Sequence, residues 1–320
     1  MYWKNRQEEL YKGMETSETI LKKRMSNYYN AEARKLESKI ASYYQMYGTD
    51  NVIEYRALMA KLSQADIDLL MQQMDVFAIK YPQYSHLLPV RQSIYNLNRL
   101  EGLQQSVIMQ QLEIGAMNNV ELLKFLENQA VKGVNATMDL MGCGKNYYTV
   151  NSNIVKTIVN TPWTNGNDFS ESIWRNTSKL ANYLNTDFAQ AVARGDSYQR
   201  IVRDMVLRFN KVSRNDIYRL VYTEGTFVMA ESSMKPFEGD FEEYKLLPER
   251  DGRECEICRG LSEKAFKIKD RIAGINFPAL HTWCRCTFEI VVDNWDTWLD
   301  NYVAKHNNKE NGKMIKRRLT

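Results

Sequence analysis

Residues 14–48 read METSETILKKRMSNYYNAEARKLESKIASYYQMYG, and the apolar positions in that stretch decide the fold class. Leu21, Met25, Tyr29, Ala33, Leu36, Ile40, Tyr43 and Tyr47 recur at steps of three or four. That spacing lays one apolar stripe along a helix of 3.6 residues per turn, so a long helix is expected from Met14, ending at Gly48-Thr49-Asp50. Outward from it the pattern continues. A second helical segment is expected from about Asn51. A third is expected from Ser63, whose hydroxyl can accept from first-turn N–H groups while Asp66 sits in the positive first turn. It carries Ile67, Leu69, Leu70, Met74 and Phe77 and stops before Tyr81-Pro82. No Pro occurs between Val90 and Thr161, where more helix is expected, with breaks at Gly133 and at Gly142-Cys143-Gly144.

Thr161-Pro162-Trp163-Thr164-Asn165-Gly166-Asn167 has the turn residues of a connecting loop. Beyond it, helices are expected through Ile173, Leu180 and Phe188, from Ser197 to Phe209, and from Arg214 to Met234. Three of the six Pro fall after Met234, amid short strand-like runs at Tyr244–Leu247 and Cys286–Val292. With only 15 Gly and 6 Pro in 320 residues, the many turns of an all-β fold are excluded. The fold class read from the sequence is mainly α. An elongated N-terminal helical region (1–160) precedes a central helical unit (161–235). A small, loop-rich C-terminal α+β module (236–295) and a basic tail (296–320) follow. The Met- and Tyr-rich stripes read as the core-facing sides of packed helices, not as a cofactor site.

Net charge is +4, but it is unevenly placed. Residues 305–320 carry Lys305, Lys309, Lys313, Lys316, Arg317 and Arg318 against Glu310 alone, a surplus of +5 that leaves the other residues at −1. A basic nucleic-acid-binding body is therefore excluded. The tail is either a solvated end or a phosphate contact through Lys313, Lys316, Arg317 and Arg318. The opening residues lack the apolar run of a signal peptide, and no apolar run reaches the ~20 residues of a membrane helix. Synthesis in a reducing cytoplasm is expected, where clustered thiols bind metal more often than they form disulfides.

Four of the five Cys, with one of three His, fall in 32 positions: Cys255-x-x-Cys258, then His281-x-x-Cys284-x-Cys286. A Cys-x-x-Cys turn lets two thiolates face one ion, and the second cluster can complete a tetrahedral site. Five donors compete for four places. Cys255, Cys258, His281 and Cys284 are the favoured set, with Cys286 replacing one of them as the open alternative. Asp251 and Arg285 are candidates for outer support or, for Asp251, a simple turn. A disulfide pair and a catalytic zinc served by Asp251 or Glu254 are the competing readings. The surplus of donors favours one closed, structural zinc that contributes to folding. Gly142-Cys-Gly-Lys145 lacks the pattern of a phosphate-binding loop, and no nucleophile elbow or His-Glu-x-x-His occurs. The chain is read as a non-enzyme. A metal-dependent nuclease or toxin-like enzyme is the weakest alternative, since the roughly 34 residues after Cys286 are too few for a further catalytic domain.

These residues form a recognisable ordered series. Tyr2-Trp3-x-x-Arg6 opens it, and Trp163-x-x-Gly166-x-x-Phe169-Ser170-x-x-Ile173-Trp174 follows, with Leu180 and Gly195. Arg219-Leu-Val-Tyr222-Thr223-Glu224, Asp251-x-x-x-Cys255-x-x-Cys258 and Phe277-Pro278-x-x-His281-x-x-Cys284-Arg285-Cys286 complete it. In this order the chain resembles the minor head proteins of tailed double-stranded-DNA phages related to the phage Mu F protein. It departs at Tyr222, where the family often has Arg, and at Pro278-Ala279, where it often has Pro-Pro. The resemblance implies a low-copy virion component made in the bacterial cytoplasm and housed inside the capsid near the portal vertex. Its implied partners are the portal protein, with scaffold or major capsid protein and viral DNA as further candidates. Its implied role is head assembly, with packaging or ejection of DNA. A zinc-stapled DNA-binding protein is the runner-up reading.

Overall fold

The structure is a computed structural model that describes residues 2–163, 166–248 and 255–320, with all side chains in helices except those of Gln7, Val212 and Ser213. The loop residues Thr164 and Asn165, and Asp251, Gly252, Arg253 and Glu254, lie outside the described residues.

The expected mainly helical chain is observed. Helix α1 (Tyr2–Tyr47) buries Met14, Leu21, Met25, Tyr29, Ala33, Leu36, Ile40 and Tyr43 along one face, as the spacing requires. It ends where expected, but the helix foreseen from Asn51 is not there. A hairpin takes its place, with β1 (Gly48–Thr49) antiparallel to β2 (Val52–Ile53). Asp50 and Asn51 both sit at positive φ (52° and 61°), the backbone that a two-residue hairpin turn demands and that Asp and Asn tolerate. After a single turn, α2 (Tyr55–Leu58), comes α3 (Gln64–Lys80). Its cap is the foreseen one: Ser63 Oγ accepts from the Asp66 N–H at 3.2 Å and donates to the Asp66 carboxylate at 2.7 Å.

A one-turn α4 (Arg91–Ile94) leads into α5 (Arg99–Leu140), which runs through Gly133 without a break. That glycine serves packing: a Cβ there would stand 2.0 Å from Ser232 Oγ. The helix stops before Gly142, at φ +87°. Then come α6 (Asn153–Val159), α7 (Phe169–Ala193) and α8 (Tyr198–Met234). The two helices expected between Ser197 and Met234 are thus one, since Asn210 to Arg214 include no Gly or Pro and each residue costs only tenths of a kcal/mol in a helix.

The C-terminal part is α+β, with β3 (Glu243–Leu247), α9 (Glu256–Ser262), β4 (Ala265–Lys267) and β5 (Thr287–Val291). The sheet is antiparallel in the order β4-β3-β5, with Tyr244 opposite Phe266 and Ile290, and Leu246 opposite Phe288. Tyr244, Leu246, Phe288 and Ile290 alternate onto the buried face. The core here is larger than a loop-rich module suggests, because the last helices cover it. The segment read as a basic tail forms α10 (Trp295–His306) and α11 (Lys309–Leu319). Trp298, Tyr302, Ile315 and Leu319 are buried, at spacings that place them on the inner face of each helix. Asn294 and Asn308 cap the two helices through their side chains, and Asn307, at φ 49°, turns the chain between them.

Two compact units are interleaved along the chain. The C-terminal unit comprises Met1–Leu21, Glu121–Phe169 and Arg219–Thr320, and the mid-chain unit comprises Lys22–Val120 and Ser170–Tyr218. The long helices α1, α5 and α8 contribute to each, which is why the units do not follow one another in sequence. Among the described residues no helix is long and apolar enough to cross a membrane.

Candidate metal centre

All five proposed donors lie in the C-terminal unit, and local backbone geometry brings them together. Cys255 is the N-cap of α9, with extended backbone (φ −83°, ψ 161°), and its Sγ accepts from the Cys258 N–H at 3.4 Å. A cap followed by one helical turn points both sulfurs the same way, 3.3 Å apart. His281 Nε2 stands 3.2 Å from each of them. Its other nitrogen, Nδ1, is 2.7 Å from the Thr282 carbonyl, an acceptor for the ring proton that leaves Nε2 as the lone-pair donor. The Cys284 N–H closes a turn onto the His281 carbonyl at 3.1 Å, and Trp283 within that turn lies at φ 65°.

The donors form two trios, Cys255–Cys258–His281 and Cys258–Cys284–Cys286, whose atoms lie within 4.8 Å of one another in each. Cys258 belongs to both. Cys255 and His281 are half-buried, whereas Cys258, Cys284 and Cys286 are buried. The favoured quartet therefore draws on both trios, and Cys286 stands in the second with Cys284. Such a cluster can hold a metal ion.

Its electrostatics suit a cation. Thiol hydrogen bonds from Cys258 and Cys286 hold Cys284 far below the usual thiol range. The Cys284 contact and burial push Cys258 up against the Cys286 contact, and contacts from Cys258 and Cys284, with burial, push Cys286 up. Burial raises Cys255, but the Cys258 backbone N–H and thiol, with His281, outweigh it and leave Cys255 lowered. Negative charge concentrated on buried sulfur is what a metal ion neutralises.

Outside the donors, α1 and α8 brace the carbonyls of the metal-side turn. Tyr11 Oη donates to the Cys286 carbonyl at 2.7 Å, and Thr226 Oγ1 donates to the Cys284 carbonyl at 3.0 Å. The Trp283 N–H donates to Thr223 Oγ1 at 3.4 Å, and the Trp283 ring lies 5.2 Å from that of Tyr222. The sequence reading named Thr223 only within a motif and missed Tyr11 and Thr226. The spacing of Thr223 and Thr226, one turn apart on α8, was the available signal.

Glu224 was also left without a role. It is 4% exposed and accepts from Trp163 Nε1 at 2.9 Å. Burial raises its carboxyl to about 7, opposed by the Trp163 bond and reinforced by Asp168. Trp163 in turn stacks on Phe227, with centroids 4.9 Å apart. These contacts tie the loop before α7 to α8, joining two of the motifs noted in the sequence.

The remaining sequence candidates are dispersed. Arg285 is half-buried between two donors, and Asp251 is outside the described residues. Lys313 pairs with Glu310 at 3.0 Å and Lys316 with Asp296 at 2.7 Å. Arg318 donates to the Asp139 and Leu140 carbonyls at the end of α5, and Arg317 is exposed.

Residues 182–289 match the family described as Phage Mu protein F like protein. This is the group that the ordered motifs resemble, and the match is consistent with a phage minor head protein. It runs from α7 to β5 and contains all five donors together with α8. No curated protein and no solved structure matches the chain.

Proposed function

We propose that the chain is a structural minor head protein of a tailed double-stranded-DNA phage. One zinc ion staples its C-terminal unit. It sits inside the capsid at the portal vertex, where it aids head assembly and serves DNA packaging or ejection. The observation that carries this reading is the matched stretch itself, which encloses the five-donor cluster and the α8 face that braces it. Zinc is assigned because thiolates with one imidazole select it over harder cations. Three buried donors and a surplus of thiols favour a closed site, so the metal's role is structural and not catalytic. Scaffold or major capsid protein are further partners of the same reading.

Co-expression with the portal protein of the same phage tests it. The chain is expected to co-purify with the portal ring. A ring that assembles without retaining any of the chain would remove the portal assignment.

One observation favours contact with viral DNA as a second reading: α11 presents Lys313 and Arg317 on its exposed side. Binding should then fall steeply with added salt and weaken in Lys313→Gln/Arg317→Gln. Absence of binding at low salt would end this reading.

A further inference from the structure

Arg6, from the opening motif, has no part in the metal centre. Its guanidinium lies 5.7 Å from the Trp3 ring centroid and donates through one nitrogen to Thr137 Oγ1 at 2.6 Å. Among the described residues no carboxylate pairs with it. Its charge therefore has no anionic partner among the described residues, and Thr137 takes only one of the five N–H donors a guanidinium offers.

Arg6 borders a cleft of about 670 Å³ in the C-terminal unit, lined also by Lys132 and Lys145. Lys132 makes one contact, to Ser17 Oγ at 3.3 Å, and Lys145 is exposed. The cations come from three places in the chain: the start of α1, the end of α5 and the loop after it. Asn5 and Asn146 add amide donors to the lining. Glu9 and Asp139 also line the cleft, and they set a limit on it. Two carboxylates beside three cations disfavour an extended acidic surface and leave room for one compact anion.

We propose that this cleft binds a single phosphate group, with Arg6 as its principal donor and Lys132 and Lys145 as flanking cations. A carboxylate offers two oxygens in one plane, which a single guanidinium satisfies. A phosphate offers oxygens in several directions and so engages donors from separate elements. Arg318 of α11 reaches the rim of the site through the Asp139 carbonyl, and the proposal does not depend on the head-protein reading.

Calorimetric titration of the full chain with inorganic phosphate at fixed ionic strength tests the proposal. Saturable binding of one phosphate per chain is expected, with Kd on the order of 1 mM. Acetate at equal ionic strength should not displace it. Arg6→Gln should weaken binding by about tenfold or more. Lys145→Gln, at an exposed position, should weaken it by about threefold without changing the melting temperature, which keeps the test valid should Arg6→Gln fail to fold. Oligonucleotides of one sequence, with and without a 5′-phosphate, then identify the source of the group. Preference for the phosphorylated strand marks a terminal monoester, and equal binding marks the backbone, each supporting the site when Lys145→Gln weakens it. No saturable heat with phosphate, or binding unchanged in Lys145→Gln and in any folded Arg6 variant, would overturn the proposal.

Discussion

The C-terminal unit and the mid-chain unit both bury aromatic rings, but the Cys/His cluster lies in the first. In the first, Phe237, Tyr244, Phe277 and Phe288 meet ring to ring, and Trp298 stacks between Phe241 and Tyr302 at 5.0 and 5.1 Å. Its buried hydroxyls at Tyr11 and Thr226 find carbonyls beside the metal donors. The mid-chain unit packs Ile67, Leu70, Met74 and Phe77 of α3, yet Gln111 and Asn119 of α5 are also buried, at 2% each. Neither side-chain polar atom of Gln111, nor Asn119 Oδ1, has a protein partner. A buried polar group without a partner costs about 1–3 kcal/mol. The hydroxyls beside the Cys/His cluster are thus satisfied, whereas the Gln111 amide of the mid-chain unit is not.

The largest expected effect breaks this contrast at the donor shared by both trios. Cys258→Ser, or chelation of the metal, should destabilise the C-terminal unit by on the order of 5 kcal/mol or more, since metal binding contributes directly to folding. Five of six tryptophans lie in that unit and only Trp174 in the other, so tryptophan emission should shift while much far-UV helical signal persists. Loss of both signals together at one midpoint would show that the units are not distinct in stability.

Next in size is the pH response of Glu224. Its folded-state carboxyl is raised from 4.5 to about 7, so the folded chain holds the proton better than the unfolded chain. Its contribution is fully present below about 4.5, declines as pH rises through the interval, and is lost above about 7. The change is about 3 kcal/mol for a buried group. Urea titrations between pH 4.5 and 8 should show this decline in the native chain and a flatter profile in Glu224→Gln. Equal slopes would refute the assignment.

Two smaller substitutions sharpen the comparison in opposite directions. Thr226→Val keeps the shape but leaves the Cys284 carbonyl without its donor, and should cost about 1–2 kcal/mol with weaker metal retention. Gln111→Leu removes a buried amide that has no protein partner and should be neutral or stabilising, by about 1 kcal/mol. Both are read from urea midpoints. A loss on Gln111→Leu as large as that on Thr226→Val would erase the distinction.

Much of this was legible in the sequence where a signal is local. The α1 stripe and the Ser63 cap depend on residues within a few turns of one another, and the Cys/His pattern on two short motifs, Cys255-x-x-Cys258 and His281-x-x-Cys284-x-Cys286. What escaped depends on partners far along the chain. Gly133 looks like a breaker until Ser232 is placed against it, about a hundred positions away. The last helices looked like a charged tail because Trp298, Tyr302, Ile315 and Leu319 are sparse among Lys and Arg, and only the core they cover gives them meaning. At Asp50-Asn51 the helix end was legible, but a new helix was expected from Asn51 where a hairpin forms. Within the site the clustering of Cys and His was foreseen, but Tyr11, Thr226 and the Trp163–Glu224 bond required the tertiary fold.

The central claim is that one metal ion holds the C-terminal unit through its Cys/His cluster. Elemental analysis of the purified native chain, paired with Cys258→Ser, tests it most directly. One equivalent of zinc per chain, absent from Cys258→Ser, is the predicted result. A native chain that is fully folded with no bound metal, and unchanged by strong chelators, would contradict it.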